Sequence, residues 1–164
     1  MSDERDPTPL EGTPSDALAG QPASERTLLI VDDDEPLCQR LARAMERRGF
    51  IVRTAESVAA GVAAATELQP VFAVVDLRLA DGSGLDVVKA LRKYKPNARI
   101  VMLTGYGNIA TAVAAVKAGA VDYLPKPVDA DAVERALLAS ETARRLKMHR
   151  RTLQRILGKH APRN

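Results

Sequence analysis

Short apolar runs alternate with longer amphipathic stretches between residues 28 and 139. The runs have the length of strands and are apolar at successive positions, as expected where a strand is covered on both faces. The longer stretches repeat apolar residues three or four apart, which is typical of helices with one buried face. The pattern predicts strands at residues 28–31, 51–54, 71–75, 100–103 and 122–124. It predicts helices at residues 35–48, 57–68, 84–94, 108–118 and 129–139.

Five alternations of strand and helix predict an α/β fold, with a parallel sheet covered by helices on both faces. Because crossovers between parallel strands are right-handed, few topologies remain for this length. The expected one is the flavodoxin-like order 2-1-3-4-5. Sheets of this kind bind ligands at the carboxyl ends of their strands. The residues that follow each apolar run are therefore the candidates for function.

Polar groups follow four of the five predicted strands. Three aspartates, Asp32, Asp33 and Asp34, come after the first strand, and single residues follow the third, fourth and fifth: Asp76, Thr104 and Lys126. Clustered carboxylates repel each other, and Mg²⁺, which prefers oxygen ligands and works with phosphates, relieves that repulsion. An ammonium and a hydroxyl suit phosphoryl oxygens, and a carboxylate can itself accept the phosphoryl group. The pattern predicts Mg²⁺-assisted phosphoryl transfer to Asp76.

A purely structural interpretation exists for each of these residues alone. The three aspartates could form a polar turn that caps the helix beginning at Glu35, since Asp is a common N-cap. Lys126 could be a surface lysine, and Thr104 a hydroxyl at a strand end. Their joint position at the ligand-binding edge favours a common site.

Length and composition narrow the class of protein. The 164 residues, 46% of them hydrophobic, suffice for one domain plus tails, and the 3% aromatic content predicts an aliphatic core. No apolar run approaches the roughly 18 residues of a membrane span, and the amino-terminal residues do not resemble a signal peptide. The single cysteine, Cys38, fits a reducing compartment. We expect a cytoplasmic protein without a membrane partner.

Charge is distributed unevenly along the chain. Residues 1–26 carry six acids and two bases, together with four of the ten prolines, and are predicted to form a disordered leader. Residues 27–139 carry fourteen charges of each sign, whereas residues 140–164 carry one acid and eight bases. The basic end predicts a segment that binds a polyanion, and a solvated tail is the alternative.

Four segments, LLIVDDDEP, VVDLRLADGSGLD, VMLTGYGN and AGAVDYLPKP, resemble the receiver domain of two-component response regulators over residues 27–139. The resemblance implies a CheY-like fold, a sensor histidine kinase as partner, and Asp76 as the phosphoacceptor. It also implies that Asp33 binds Mg²⁺ directly, that Asp32 acts through water, and that the backbone carbonyl of Arg78 is a third ligand.

The same resemblance implies roles for residues on the later strands. Thr104 is expected to be the switch hydroxyl, Tyr123 the aromatic switch, and Lys126 the lysine that contacts phosphate, with a cis Lys126–Pro127 bond. Ala80 stands where many receivers have proline, from which we expect a small change in the loop. The implied protein is a regulator that dimerises on phosphorylation, rather than an enzyme.

Three longer segments, VDDDEPLCQRLARAMERRGF, TGYGNIATAVAAVKAGA and SETARRLKMHRRTLQRIL, resemble the RegA/PrrA/ActR family of proteobacterial regulators. This resemblance implies a transcription factor that responds to redox state and oxygen and is paired with a membrane sensor histidine kinase.

The basic segment 140–164 fits a helix-turn-helix, with Ser140 as a cap and a recognition helix at residues 150–157. A basic amphipathic helix without a groove to enter is the alternative, and Lys147 at the turn weakens the first interpretation. About thirty residues of the family pattern, a linker and a further helix, are absent, so the Fis-like DNA-binding domain is predicted to be incomplete. The residues expected to face DNA are His149, Arg150, Arg151, Gln154 and Arg155.

The junction and the rival functions give further expectations. Without a linker, the last receiver helix is predicted to continue through Ser140 without a break.

One alternative function is that of a receiver that acts only through protein partners, its basic segment being a remnant. A second rival is an Mg²⁺-dependent phosphatase, which needs a carboxylate two residues after its nucleophile. Arg78 occupies that position and argues against it.

Overall fold

A computed structural model of the chain describes residues 20–105 and 122–139, together with a few single positions: Leu18, Ala110, Val113, Ala114, Lys117, Gly119 and Ala120. Its strands are β1 (Thr27–Val31), β2 (Ile51–Ala55), β3 (Phe72–Asp76), β4 (Arg78–Leu79), β5 (Gly82–Ser83), β6 (Arg99–Thr104) and β7 (Asp122–Pro125). Its described α-helices are α1 (Glu35–Arg47), α2 (Val58–Leu68), α3 (Gly84–Tyr94) and α4 (Ala130–Leu138).

Five strands form one parallel sheet in the order β2-β1-β3-β6-β7. Because β6 and β7 are the predicted fourth and fifth strands, the expected order 2-1-3-4-5 is confirmed. The remaining two strands, β4 and β5, form a small antiparallel hairpin directly after β3. The sequence analysis did not predict this hairpin, since strands of two residues carry no periodic pattern.

The sheet is covered on both faces, and successive strand residues alternate between two apolar clusters. On β3, Phe72 and Val74 belong to the cluster beneath α1 and α4, whereas Ala73 and Val75 belong to the cluster beneath α2 and α3. Every residue of β3 is buried, as its continuous apolar run predicted.

The predicted helix at residues 108–118 lies largely outside the described residues. The four described positions within it, Ala110, Val113, Ala114 and Lys117, are helical.

Within the leader the structure describes Leu18 and residues 20–26, and the disorder of residues 1–26 stays a prediction. Leu18 is buried in the cluster beneath α1 and α4, and a 3₁₀ turn covers Ala23–Glu25. Burial of the Leu18 side chain offsets part of the entropy lost when this segment becomes ordered.

The last described helix, α4, ends at Leu138, and Ala139 follows with ψ of 140°, outside the helical range. The prediction of an unbroken helix through Ser140 is therefore wrong. Arg99 Nη1 lies 3.5 Å from the Leu137 carbonyl oxygen and donates to it, replacing a further helical amide. Ser140 and the rest of the basic segment, including the predicted helix-turn-helix, lie outside the described residues.

Candidate functional site

Three aspartates converge at the carboxyl edge of the sheet, as the strand order predicts. One carboxylate oxygen from each of Asp32, Asp33 and Asp76 lies within 4.8 Å of the others. Asp32 and Asp76 are buried at 1% and 5% exposure, whereas Asp33 is exposed. The cluster thus combines two carboxylates held in the sheet with one that faces solvent.

Lys126 connects the two buried carboxylates. Its Nζ lies 2.7 Å from Asp32 Oδ2 and 3.0 Å from Asp76 Oδ2. The backbone amide of Lys126 donates to the Thr104 carbonyl oxygen at 2.8 Å, which ties the loop after β7 to the end of β6. The Lys126–Pro127 bond is cis, as the resemblance implied.

Asp76 is held by the segment that follows it. The Arg78 amide donates to Asp76 Oδ1 at 3.3 Å, and the Leu77 amide donates to the Leu103 carbonyl oxygen at 2.9 Å. Gly84 packs against this turn so closely that a Cβ there would clash with the Asp76 carbonyl oxygen. Only glycine fits at that position without displacing the backbone of Asp76.

The three consecutive aspartates have different structural roles: one caps a helix, and the other two lie at the candidate site. Asp34 is the N-cap of α1, and its Oδ1 accepts from the Leu37 amide at 3.1 Å. Asp32 Oδ1 accepts from the Asp34 amide at 2.9 Å, which fixes the turn, while Asp32 Oδ2 faces Lys126. The capping interpretation therefore holds for Asp34, and the site interpretation fits the position of Asp32 and Asp33.

The electrostatics of the cluster follow from its burial. Burial raises the pKa of Asp76, and the charge of Asp32 adds to that rise, while the hydrogen bond from Lys126 opposes it. Burial alone would lower the pKa of Lys126, but hydrogen bonds to Asp32 and Asp76 outweigh it, and the pKa is raised. At neutral pH the lysine is charged, and one ammonium faces three carboxyl groups.

The cluster offers the donor set of a hard divalent cation. The three carboxylates exceed the single ammonium in charge, and all of their donor atoms are oxygens. Mg²⁺ prefers such ligands and keeps several water molecules, which the exposed side of Asp33 allows. The residues present therefore fit a divalent cation beside a phosphoryl group.

The two predicted switch residues lie on the neighbouring strands. Thr104 is buried at the end of β6, on the same edge as the cluster. Tyr123 pairs with Met102 across β6 and β7, is half-buried, and packs against the cluster beneath α2 and α3. Their roles in switching stay predictions.

A groove of about 580 Å³ opens beside Lys126. Residues 37–44 of α1 and the start of α4 form its walls, with Asp34, Arg40 and Ala130 among the lining residues. Lys126 is thus reached from solvent between these two helices.

Cys38, in contrast, is buried away from solvent on α1. Burial and the negative charge of Asp32 raise the pKa of its thiol to about 11, so it stays protonated at neutral pH. Such a thiol is a poor nucleophile.

One contact near the site was not predicted. The Asp81 carboxylate, at the tip of the β4–β5 hairpin, accepts from the Val58 and Ala59 amides of α2. The only sequence signal was an acidic residue a few positions after Asp76.

The residues expected to face DNA, from His149 to Arg155, lie outside the described part of the chain. Among the described residues, no helix is long and apolar enough to cross a membrane.

Residues 28–138 match the family described as response regulator receiver domain. The photosynthetic apparatus regulatory protein RegA of Cereibacter sphaeroides is 55% identical over 174 positions, covering 85% of this chain and 95% of RegA. The acid tolerance regulatory protein ActR of Sinorhizobium medicae is 48% identical over 196 positions, covering 99% of this chain and 100% of ActR. Since 99% of 164 residues is about 162, about 34 positions of that alignment have no counterpart in this chain.

The fold also matches solved structures of receivers. A response regulator from Burkholderia pseudomallei, solved with a phosphorylated aspartic acid, a calcium ion and citrate, has a TM-score of 0.68 and 35% identity, covering 82% of this chain and 85% of its own. The receiver domain of NtrX from Brucella abortus has a TM-score of 0.61 and 34% identity, covering 69% of this chain and 99% of its own. Sequence and fold agree, and the chain belongs to the response regulator receiver family and, within it, to the RegA/PrrA/ActR family.

Proposed function

We propose that this chain accepts a phosphoryl group on Asp76 from a sensor histidine kinase in the cytoplasm. The observation that carries this proposal is the position of Lys126, whose Nζ lies 3.0 Å from Asp76 and 2.7 Å from Asp32 in a cluster of three carboxylates. A charged lysine beside a buried carboxylate is suited to hold the oxygens of a phosphoryl group attached to that carboxylate.

The residues that would hold Mg²⁺ are Asp33 directly, Asp32 through water, Asp76, and the backbone carbonyl of Arg78. When bound, Mg²⁺ supplies positive charge that neutralises the carboxylates and the oxygens of the incoming phosphoryl group. The excess of carboxylates over ammonium groups at this edge supports that assignment.

In the transfer step, a carboxylate oxygen of Asp76 attacks the phosphorus of the donor phosphohistidine. An oxygen–phosphorus bond forms while the phosphorus–nitrogen bond breaks, and the electron pair of that bond stays on the histidine nitrogen. Lys126 keeps its charge and moves from the Asp76 carboxylate to a phosphoryl oxygen. The hydroxyl of Thr104, buried at the same edge, donates to another phosphoryl oxygen.

The test is labelling by acetyl phosphate with Mg²⁺. Asp76→Asn removes the nucleophile but keeps the shape of the side chain, so we expect labelling to be lost while the fold, followed by circular dichroism, is kept. Asp131→Asn, at an exposed residue paired with Arg48 at the carboxyl end of α1, is the matched control and should label normally. Undiminished labelling of the Asp76 variant would overturn the assignment.

The output we propose is regulation of transcription through DNA. In this proposal the chain has two functional parts. Residues 27–139 form the receiver, and residues 140–164 form the incomplete Fis-like DNA-binding segment. The net charge of +7 in residues 140–164 supports it, with His149, Arg150, Arg151, Gln154 and Arg155 as the proposed contacts. RegA and ActR are both named as regulatory proteins. By the resemblance to the RegA/PrrA/ActR family, the genes controlled would respond to redox state and oxygen.

Dimerisation would transmit the effect of phosphorylation to the DNA-binding segment. Thr104 is drawn toward the phosphoryl oxygens, and Tyr123 fills the space that it leaves, which changes the surface around β6 and β7. A dimer on this surface carries two basic segments and neutralises about twice as many DNA phosphates. Because about 34 positions of the aligned ActR are absent, a monomer is expected to bind DNA weakly.

The alternative is a receiver that acts only through protein partners. Beryllofluoride, a mimic of the phosphoryl group, separates the two when the oligomeric state is followed by light scattering and DNA affinity by anisotropy across a salt titration. We expect tighter binding and a steeper salt dependence in the dimer. Equal DNA affinity in the two states, despite a measured shift to dimer, would favour the alternative.

A further inference from the structure

The tip of the β4–β5 hairpin is fastened to α2 by one side chain. Asp81 Oδ1 accepts from the Val58 amide at 2.8 Å, and Asp81 Oδ2 accepts from the Ala59 amide at 3.2 Å. These two amides are the first two of α2, more than twenty residues earlier in the chain. Asp81 therefore joins the loop after Asp76 to the amino end of a different helix.

The contact completes the capping of α2. The N-cap residue, Ser57, satisfies only part of the first turn, because its Oγ accepts from the Ala60 amide and its carbonyl oxygen accepts from the Gly61 amide. The first turn of α2 contains no acidic residue of its own. Asp81 supplies the missing acceptors for the two remaining amides and places a negative charge at the positive end of the helix dipole. The two bonds lower the pKa of the Asp81 carboxyl, so it is ionised at neutral pH.

The rest of the hairpin is attached at its base and on one side. The Gly84 amide donates to the Leu77 carbonyl oxygen at 2.8 Å and closes the base. Leu79 is buried against the apolar cluster beneath α2 and α3, whereas Ala80, Asp81 and Gly82 are exposed. At the exposed tip, the described hydrogen bonds to the body of the domain are the two that Asp81 accepts from α2.

We propose that Asp81 is a positioning residue for the metal site, because it fastens to α2 the hairpin whose first residue, Arg78, supplies the backbone carbonyl ligand. This inference rests on the proposed function, in which that carbonyl binds Mg²⁺. Only one residue, Leu77, separates Arg78 from Asp76, and the Arg78 amide already donates to Asp76 Oδ1. A hairpin that moves at its tip therefore moves both the carbonyl and a hydrogen bond of the phosphoacceptor.

The experiment compares Asp81→Ala with Ser57→Ala. Both substitutions remove a cap from the amino end of α2, but only the first releases the hairpin. Mg²⁺ affinity is measured by titrating the metal alone into ¹⁵N-labelled protein, and amide exchange of residues 78–83 is measured without metal. We expect Asp81→Ala to weaken Mg²⁺ binding by about tenfold and to speed amide exchange in the hairpin. We expect Ser57→Ala to change neither, and Asp81→Asn, which keeps one acceptor, to lie between.

The outcomes separate the inference from the proposed function. If the unsubstituted protein does not bind Mg²⁺, the proposed function and the inference fall together. If it binds Mg²⁺ and Asp81→Ala binds equally well, only the positioning role is overturned. Equal weakening in Asp81→Ala and Ser57→Ala would also overturn it, since the effect would then come from α2 itself. Because the amide-exchange comparison is made without metal, it reports directly whether the hairpin is released.

Discussion

The two edges of the parallel sheet bury different kinds of residue. At the carboxyl edge, Asp32, Asp76 and Thr104 are buried beside Lys126. At the amino edge, Asp122 at the start of β7 is buried, but most of the buried residues are apolar, and Phe50 and Phe72 meet edge to face with ring centroids 5.2 Å apart. The Arg99 guanidinium lies 5.5 Å from the centre of the Phe72 ring, and Leu18 from the leader belongs to the same apolar cluster.

This difference separates two roles in the domain: the amino edge contributes stability, and the carboxyl edge holds the groups of the candidate site. Buried carboxylates lower the stability of a domain unless they are paired, whereas buried aromatic rings raise it. One sheet carries both because all its strands run in the same direction, so one edge gathers every strand start and the other every strand end. The amino edge thus offsets the cost of the polar edge.

The largest effect is expected from Phe72→Ala at the amino edge. The ring is buried against Phe50 and under Arg99, so its removal leaves a cavity and should cost about 3–5 kcal/mol in the free energy of unfolding. Chemical denaturation measures this value. Tyr94→Ala, at an exposed ring on α3, is the control and should cost far less. A loss below about 1 kcal/mol for Phe72→Ala would show that the amino edge is not a stabilising centre.

The second effect concerns the leader. Leu18→Ala should cost about 2 kcal/mol by denaturation, because the side chain is buried in the same cluster as Phe50 and Phe72. The expected value lies at the low end for leucine because a terminal segment relaxes more easily than a strand. Ile51→Ala, at a 43% exposed residue, serves as the control. If both substitutions cost the same, the leader does not contribute to the amino edge.

The third effect is expected at the carboxyl edge, from Lys126→Met. The substitution leaves Asp32 and Asp76 facing each other without their shared cation, and should cost about 1 kcal/mol when divalent cations are removed by a chelator. Adding Mg²⁺ should restore part of that loss. Lys89→Met, at an exposed lysine on α3, should have little effect in either condition. A Lys126 variant as stable as the unsubstituted protein in chelator would contradict the pairing.

The smallest effect is a pH dependence at Asp76. The pKa of this carboxyl is higher in the folded protein than its ordinary value of 3.8, so its ionisation opposes folding. The penalty is absent below the unfolded pKa and grows as pH rises from about 3.8 through the raised folded pKa. Without divalent cations, Asp76→Asn should therefore be the more stable protein at pH 7, with the gap narrowing toward pH 4. A gap that widens on acidification would reverse the assigned sign.

Much of the fold was predictable because burial on both faces leaves a clear pattern in the sequence. The predicted ends of β1, β2, β3, β6 and β7 lie at most one residue from those in the structure, and the predicted bounds of α3 agree with the structure. In a domain of this size, a strand that is apolar at every position fits only in the interior of a sheet that is covered on both faces. The edge at which Asp76, Thr104 and Lys126 would meet followed from chain direction alone.

The features that escaped prediction depend on contacts between distant segments. Asp81 accepts a hydrogen bond from α2, more than twenty residues away in sequence. Leu18 is buried in a cluster whose other members come from later strands and helices. The end of α4 at Leu138 coincides with the Arg99 side chain donating to Leu137, although the sequence around it favours a longer helix. Local propensity contains no information about such partners.

The order of the strands and the set of polar residues at the carboxyl edge were both predictable from the amino-acid sequence alone. The period of the apolar runs and the right-handedness of parallel crossovers leave few arrangements for these elements, and 2-1-3-4-5 is the expected one. The position of each residue in the folded chain assigns its role there: Asp34 caps α1, while Asp32 shares Lys126 with Asp76. Neighbouring carboxylates are chemically alike, and they acquire different roles only when the packing of separate strands sets which of them lies near the buried cation.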